Sequence, residues 1–168
     1  MIRKAEPTEI DMLLALTQAC AQKMIRDGIF QWDTDYPSKE AFSEDCNRQE
    51  LYVLLKAKEI IGCITLSEVK DLEYDLVQWL SNDGRNLYIH RLAIHPNHQH
   101  QGHAKSLMDF AESYAQESGF ESIRLDTFSE NKRNQRFYLA RNYTKVGEVY
   151  FPRQSVYPFY CYEKMLPN

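Results

Sequence analysis

Residues 87–119 read LYIHRLAIHPNHQHQGHAKSLMDFAESYAQESG, and this stretch decides the fold. The run from Leu87 to Ile94 is rich in β-forming residues and stops at His95-Pro96, which predicts a strand that ends there. The polar loop after it leads into a predicted helix that Gly119 ends. One face of this helix carries the apolar residues Leu107, Phe110, Ala111, Tyr114 and Ala115. The stretch therefore predicts a strand, a polar loop and a helix in direct succession.

The polar loop from Gln99 to Lys105 has the features of an anion-binding site. A helix start presents unpaired backbone N–H groups and about half a positive charge, so it can hold a phosphate without a basic side chain. Gly102 has no Cβ, which lets an anion approach the backbone and permits a turn that other residues resist. Ala104 is nearly as small, and Lys105 adds a charge at the first helical turn. The loop is therefore predicted to bind a phosphate group.

The remaining periodicities predict helices around a mixed sheet. Apolar residues recur at a helical period over residues 8–26, and Ser38 is placed to cap a short helix with Phe42 on its inner side. Two strands should form a hairpin, and a later strand should run parallel to the strand from Leu87 to Ile94. A helix follows that later strand, and two further strands complete the set. These segments are Tyr52 to Lys56, Ile60 to Leu66, Ser122 to Thr127, Asn131 to Arg141, Val146 to Tyr150 and Tyr157 to Met165. With one βαβ unit in the middle, this order predicts a three-layer α/β fold in a single domain, residues 1–168.

The composition argues against several classes of protein. A net charge of -4 without a basic stripe makes nucleic acid an unexpected partner. No stretch approaches the ~20 apolar residues of a membrane span and no apolar segment follows the N-terminus, so we expect no membrane partner and a cytoplasmic protein. The four cysteines are scattered without a CxxC pair, which indicates reduced thiols rather than a zinc knuckle or a disulfide framework.

Two motifs resemble the signatures of a known family. Gln99-x-x-Gly102-x-Ala104, placed after a strand and before an amphipathic helix, resembles the acetyl-CoA signature of the GNAT family of N-acetyltransferases. The segment from Asn131 to Tyr143, with Tyr138 seven residues after its first residue, resembles the asparagine-led helix of the same family. The resemblance extends over nearly the whole chain. It implies the acyl-CoA N-acyltransferase fold, with a mixed, mostly antiparallel sheet around a central coenzyme-binding βαβ unit.

This resemblance also implies roles for individual residues. Backbone groups of Leu92, Ala93 and Ile94 would bond the pantetheine arm and the acetyl carbonyl in the manner of an added strand. Asn131 would reach the pantetheine, and Tyr138 would protonate the departing coenzyme thiolate. The pyrophosphate would rest on the amides of Gln99, His100, Gln101, Gly102, His103, Ala104 and Lys105. The implied co-substrate is acetyl-CoA without a metal, and the implied reaction is direct transfer to a primary amine of a small molecule or peptide.

The family pattern and this sequence differ at two turns. His100 stands where glycine is frequent, and Asn142-Tyr143 stands where Gly-Phe is usual. We therefore expect a slightly less compact phosphate loop and a different turn after the last helix.

An amine acceptor must lose a proton, and His90 is the candidate base. An alkylammonium has a pKa of about 10.4, so little free amine exists at neutral pH, whereas a histidine titrates near 6.5. Related amine acetyltransferases carry a histidine two residues before the position of Leu92, although a hydrogen-bonded core histidine is the alternative. Tyr88 shares the strand face of His90 if no bulge intervenes. The other candidate walls of an acceptor pocket, each with core packing or a dimer contact as the alternative, are Phe30, Trp32 and Tyr157.

Other functions stay open from the sequence alone. A non-catalytic acyl-CoA sensor would use the same loop without processing an acceptor. A metal site could use His95, His98, His100 and His103, but their spacing matches no recognised ligand pattern. The acidic stretch 68–83 is either a solvated loop or an attraction for a cationic amine. The sequence does not select the acceptor, and both a monomer and a homodimer agree with it.

Overall fold

Seven strands form one sheet in the computed structural model, which describes residues 1–167. The last residue of the predicted domain, Asn168, lies outside the described residues. The strands are β1 (Ile2–Lys4), β2 (Leu51–Lys56), β3 (Glu59–Ser67), β4 (Asn86–Ile94), β5 (Ser122–Phe128), β6 (Thr144–Val149) and β7 (Phe159–Met165). Their order in the sheet is β1-β2-β3-β4-β5-β7-β6, and β4 with β5 is the parallel pair among antiparallel neighbours. The predicted mixed, mostly antiparallel sheet is confirmed.

Helices cover both faces of this sheet. They are α1 (Ile10–Arg26), α2 (Lys39–Asn47), α3 (His103–Glu117) and α4 (Lys132–Ala140). Leu13 of α1 and Phe42 of α2 pack with Val53 on one face, whereas Leu107 of α3 and Tyr138 of α4 pack in a separate cluster on the other. The three-layer α/β prediction is therefore confirmed. Within residues 1–167, no helix has the length and apolar character needed to cross a membrane.

The two short helices begin at side-chain caps. Ser38 Oγ accepts a hydrogen bond of 3.1 Å from the amide of Ala41 at the start of α2, as the sequence predicts. Asn131 Oδ1 accepts a bond of 3.1 Å from the amide of Asn134 at the start of α4. Asn131 therefore caps α4, a structural role that the family resemblance alone does not suggest.

Strands β4 and β5 pair only where they begin. Their register runs from Asn86 opposite Ser122 to Tyr88 opposite Arg124, and the parallel pairing ends there. On its other side, β4 carries one extra residue between His90 and Ala93, which pair with Thr65 and Cys63. Arg91 lies inside this bulge with a positive φ of 51°. The bulge bends β4 away from β5, and the two strands open into a wedge.

Glycine at position 62 allows the closest approach of β3 to the bent part of β4. Gly62 pairs with Ile94. A Cβ built on Gly62 would lie 2.8 Å from the carbonyl oxygen of Ala93 and 2.6 Å from Cδ1 of Ile94. Any larger residue would push the bent strand toward the wedge.

A buried ion pair holds the point where the wedge begins. Arg124 and Glu163 both have side chains that are 0% exposed, and Arg124 Nε donates to Glu163 Oε2 at 2.9 Å. The same guanidinium donates to the hydroxyl of Tyr88 at 3.0 Å and to the carbonyl of Ser81 at 2.6 Å. It also pairs with Asp83 at 2.8 Å. These contacts join β4, β5 and β7 with the loop before β4.

The charge state of Glu163 contributes to stability. Burial opposes its negative charge, but hydrogen bonds from Ser81, Arg124 and Ser122 hold its pKa below the ordinary value. A carboxyl whose pKa is lower in the folded state stabilises the fold above its unfolded pKa. That stabilisation is lost as the pH falls through the folded pKa.

Replacing Arg124 with methionine should lower the free energy of unfolding by about 3–5 kcal/mol, because Glu163 would stay buried without its cation. The loss should appear as a lower midpoint in urea denaturation at neutral pH. Lys39→Met is the matched control, since Lys39 and Asp11 form an ion pair with side chains 59% and 78% exposed. It should cost less than about 1 kcal/mol. Equal midpoints for the two variants would contradict the role of the buried pair.

Candidate active site

A cavity of about 490 Å³ occupies the wedge between β4 and β5. One wall is the stretch from Ile89 to Ile94, and the opposite wall includes Leu125 and Asp126 of β5 and Tyr138 of α4. The cavity reaches Gln99 and Ala104 at the start of α3 at one end. A volume of this size is in the range of small-molecule sites. Its lining includes Trp32, which packs in the core cluster on one face of the sheet, and Tyr138, which packs in the cluster on the other, so the cavity borders both faces.

The loop into α3 adopts left-handed backbone at two positions. His100 has φ of 64° and Gly102 has φ of 84°, and α3 begins at His103. The first amides of a helix have no partner inside the helix, so the amides after Gly102 are available to an anion. The left-handed conformation explains why glycine is frequent at the position of His100. His100 thus adopts the left-handed conformation that glycine adopts readily, although it carries a side chain.

Gln99 links this loop to the bent strand. Its Nε2 donates to the carbonyl of Ile94 at 2.9 Å, and its Oε1 accepts from Lys23 Nζ of α1 at 2.8 Å. The Ile94 carbonyl also accepts a 3.1 Å contact from the buried thiol of Cys20. These bonds fix the end of β4 next to the loop.

The other predicted loop residues, from His100 to His103 and Lys105, are not among the residues that line the cavity. His100 Nδ1 lies 2.9 Å from Nη2 of Arg133, whose charge lowers the histidine pKa. Lys105 Nζ donates to Asp109 at 2.7 Å, and Lys56 Nζ donates to Oε1 of Gln101 at 3.4 Å. The side chains of His100, Lys105 and Gln101 thus contact neighbours, whereas Nε2 of His103 is buried and has no hydrogen-bond partner among residues 1–167. What these residues offer to a ligand is the backbone, as the sequence argument proposed.

Leu92, Ala93 and Ile94 all line the cavity along the part of β4 that has left β5. A strand edge without a neighbour presents backbone N–H and C=O groups in a row. Extended ligands with amide groups bind such edges by completing the ladder. The unpaired edge lies at the residues to which the family resemblance assigns the pantetheine arm, and that role stays a prediction.

Tyr138 faces the cavity from α4. Burial raises its pKa well above the ordinary value, and the negative charge of Asp126 adds to the increase. The tyrosine hydroxyl forms no hydrogen bond to another residue within the described part of the chain. Tyr138 therefore keeps its proton at neutral pH and has it available for donation. Asn131, at the start of the same helix, lines the cavity and donates to Gln31 Oε1 at 3.1 Å.

His90 also lines the cavity, from the β4 side just before the bulge. Burial lowers its pKa, Asp71 opposes that effect, and Arg91 lowers the pKa further. Its Nε2 lies 3.4 Å from the carbonyl oxygen of Val69. The ring is therefore mainly neutral at neutral pH.

One of the four predicted acceptor-side residues reaches the cavity. Trp32 lines it, whereas Phe30 and Tyr157 are half exposed outside it. No bulge lies between Tyr88 and His90, so the two residues share a strand face as predicted. The ring of Tyr88 nevertheless packs against Tyr74, with ring centroids 5.9 Å apart. Its hydroxyl binds Arg124 and not the cavity. Tyr88 therefore belongs to the core beneath the wedge.

The sequence reasoning missed several charged groups around the cavity. Arg91 makes a two-pronged bond to Asp45, at 2.6 and 2.7 Å, and donates to the hydroxyl of Tyr36 at 3.1 Å. Arg91 and Tyr36 line the cavity. Asp71 and Glu73 also line it, and they belong to the acidic stretch 68–83, for which the sequence left an attraction for a cationic amine and a solvated loop as alternatives. These side chains come from distant segments, so no local pattern brings them together.

Asp126 was also missed, although the sequence of β5 contains a pattern that could have identified it. Polar residues alternate along β5 at Ser122, Arg124 and Asp126, which share one face of an interior strand. An interior strand normally carries apolar residues on both faces. A polar stripe of this kind could have marked the strand as lining a site.

The loop histidines are dispersed. The His95 and His98 rings have centroids 6.2 Å apart, and those of His98 and His103 are 6.4 Å apart. His95 Nδ1 accepts from the amide of Asn97 at 3.1 Å. In the chain from residue 1 to 167, no group of three or more His, Cys, Asp or Glu side chains is arranged to hold a metal ion.

Solved structures share this fold over the whole chain. A provisionally named acetyltransferase from Staphylococcus aureus Mu50 is 29% identical, with a TM-score of 0.77 over 99% of both chains. A GNAT-family acetyltransferase from Streptococcus agalactiae is 21% identical, with a TM-score of 0.83 over 100% of this chain and 96% of its own. The PaiA N-acetyltransferase of Thermoplasma acidophilum, in complex with coenzyme A, is 17% identical, with a TM-score of 0.74 over 99% and 98%.

Comparison of the sequence with curated proteins gives no match. The model of the acetyltransferase (GNAT) family matches residues 14–143, which include the phosphate loop, the wedge and most of the layers that surround it. The match covers well over half of the 168 residues, and the wedge and loop lie inside it. The chain therefore belongs to the GNAT family of acetyltransferases.

Proposed function

We propose that this protein transfers the acetyl group of acetyl-CoA directly to a primary amine of a small molecule or peptide. The observation that carries the proposal is the wedge, in which an unpaired strand edge runs along a cavity of about 490 Å³ to the start of α3. An acetyl thioester with an extended amide-bearing arm and a pyrophosphate matches both features. The PaiA N-acetyltransferase solved with coenzyme A supports the choice of coenzyme.

The coenzyme would enter from the face covered by α3 and α4. Its pyrophosphate would rest on the amides from Gln99 to Lys105, where the left-handed turn at Gly102 leaves room for an anion. Its arm would continue along Leu92, Ala93 and Ile94 as an added strand. Lys23 and Arg133 lie beside this end of the cavity and favour a negative ligand.

The acceptor would enter from the opposite face. Trp32, Asp71 and Glu73 line that part of the cavity and offer an aromatic wall and negative charge. This environment favours a cationic amine over an anionic one. The coenzyme supplies the acetyl group as an activated thioester, and the backbone amides of β4 beside it would stabilise negative charge on the acetyl oxygen.

Tyr138 is the proposed proton donor to the leaving sulfur. Its hydroxyl is protonated at neutral pH, as that of an ordinary tyrosine is, and it faces the cavity without a competing partner among residues 1–167. A phenol can donate as the thiolate charge develops. His90 stays the residue predicted from the sequence to accept the amine proton or to hold a water that does so.

A screen of primary amines and free N-terminal peptides tests this function. Each would be incubated with acetyl-CoA, and release of the coenzyme thiol would be followed. Binding of acetyl-CoA without thiol release across the whole panel would instead favour the acyl-CoA sensor.

Ala104→Glu should weaken acetyl-CoA binding at least tenfold, about 1.4 kcal/mol, because the new carboxylate would face the phosphates at the start of α3. Isothermal titration calorimetry measures the affinity. Ser113→Glu, which adds the same charge to an exposed site on the same helix, is the control and should leave the affinity unchanged. Equal affinities for a folded Ala104→Glu variant and the control would rule out the phosphate loop.

Tyr138→Phe keeps the ring and its packing but removes the proton. We expect kcat to fall by ~10² or more while acetyl-CoA affinity stays within a few-fold. The comparison needs an amine identified by the panel. Full kcat in the phenylalanine variant, with chemistry shown to be rate-limiting, would make Tyr138 a packing residue.

A further inference from the structure

Asp126 lies on the acceptor side of the wedge. It belongs to β5, opposite Cys161 of β7, beyond the last residue at which β5 pairs with β4. Its side chain therefore enters the space that the bent strand has vacated, and it lines the cavity. Tyr138 reaches the same cavity from the helix on the other face of the sheet. The two groups approach the wedge from its two faces.

The two carboxylate oxygens of Asp126 have different surroundings. The hydroxyl of Tyr74, a fully buried residue, donates a short hydrogen bond to Oδ2. Within residues 1–167, Oδ1 forms no hydrogen bond. The carboxyl group is thus held in orientation through one oxygen, and the other is free at the cavity wall.

The surroundings of Asp126 adjust its proton affinity. Burial raises the pKa of the carboxyl to about 7, the Tyr74 hydrogen bond opposes the increase, and the charges of Asp71 and Glu73 add to it. On β4, His90 and Arg91 face the same cavity, and Arg91 is paired with Asp45. The other titratable groups that sense the Asp126 charge are Tyr36, Tyr138 and Cys161.

We propose that Asp126, rather than His90, accepts the proton that the acceptor amine must lose before it attacks the acetyl group. This inference rests on the proposed function. It is motivated by the free Oδ1 on the acceptor side of the wedge and by the fixed orientation that Tyr74 gives the carboxyl group.

The proton and electron balance is simple. The ammonium nitrogen gives one proton to Oδ1 of Asp126, and its lone pair forms the C–N bond to the acetyl carbon. The C–S bond breaks, and its electron pair leaves with the coenzyme sulfur, which takes a proton from Tyr138. The second nitrogen proton is lost as the amide forms and restores the Tyr138 hydroxyl. Asp126 then returns its proton to water, so the reaction releases one proton overall.

His90 is less suited to this step. Its ring nitrogen Nε2 lies 3.4 Å from the carbonyl oxygen of Val69, whereas Oδ1 of Asp126 has no partner within residues 1–167. Burial and the neighbouring Arg91 lower the pKa of His90, and the charge of Asp71 opposes them. Asp126 has the opposite balance, because burial favours its protonated, neutral form. A base works best when its pKa is near the working pH. Asp126 meets that condition at neutral pH.

Asp126→Asn is the direct test, with thiol release measured for an alkylamine from the panel and for hydroxylamine. Hydroxylamine is mostly unprotonated at neutral pH and needs no base to free its lone pair. We expect the variant to lose at least ~10² in kcat/KM with the alkylamine but less than about threefold with hydroxylamine. In the wild-type protein, kcat/KM for the alkylamine should rise with pH through an apparent pKa near 7, and this limb should vanish in the variant.

Tyr74→Phe tests the orientation and the proton affinity together. Removal of the hydroxyl takes away a hydrogen bond that lowers the Asp126 pKa, so the acidic limb should move to higher pH while activity persists at alkaline pH. His90→Gln changes the other candidate base and tests that alternative directly: the limb should stay where it is in the wild-type protein, whatever the change in rate. A packing role for Tyr74 would lower activity without moving the limb.

Asp126→Asn also has a readout that needs no activity. A carboxyl whose pKa is raised in the folded state stabilises the fold below its unfolded pKa, and this is lost as the pH rises through the folded value. At about pH 8 the asparagine variant should therefore melt at the same temperature as the wild-type protein or higher. This result shows that its loss of rate is not a loss of folding.

Three results would overturn the inference. An equal loss with both nucleophiles, or an unchanged acidic limb in Asp126→Asn, would make Asp126 a part of the cavity wall. If the acidic limb of the kcat/KM profile instead vanished in His90→Gln, His90 would be the base that accepts the amine proton. Failure of the proposed function is distinguishable, because the wild-type protein itself would then release no thiol with any amine, and the inference would fall with it.

Discussion

The contact between Arg124 and Glu163 is the constraint on which the site depends. Arg124 lies in the last pair of residues that joins β4 to β5, and its guanidinium also binds the hydroxyl of Tyr88 across that pair. A charge buried this completely needs its partners, so the strands cannot slide or separate at this level without exposing or orphaning it. Beyond it, the bulge at Arg91 turns β4 aside. Together they fix where the sheet is closed and where it opens.

The opened sheet connects two environments of different charge. Toward α3, the cavity ends in helix amides with Lys23 and Arg133 nearby, which suits phosphate groups. On the opposite face it is lined by Asp71, Glu73 and Asp126, which suits a cation. A parallel pair that stayed closed would separate these environments completely. The acetyl group would cross between them only because the backbone of the two strands has parted.

The buried ionisable groups around the wedge differ in how fully neighbouring groups compensate their charges. Arg91 is neutralised by two bonds to Asp45, and Glu163 is held by Arg124 and serine hydroxyls. Asp126 instead has one hydrogen bond and acidic neighbours, so its burial is compensated far less. Residues that serve stability are normally paired when buried, whereas poorly compensated ionisable groups concentrate at functional sites.

The sequence by itself determined the three-layer fold and the order of its elements apart from the short β1, which was not predicted, and it marked the loop before α3 as the predicted phosphate site. Hydrophobic periods report which face of a helix or strand is buried, and the requirement for left-handed backbone singled out Gly102 before α3. After α4, Asn142 adopts a φ of 69°, a left-handed conformation that asparagine tolerates. These are local properties of a few consecutive residues.

Only the tertiary structure decided which side chains share the cavity. The bulge at Arg91 is a break in pairing with β3, and the partners of Asp126 come from Tyr74 and the acidic loop, so neither follows from local sequence. For the same reason Trp32 reaches the cavity while Phe30, two residues away, stays outside it. Long-range packing sets these distances, because a side chain's neighbours across a sheet are separated from it by tens of residues along the chain.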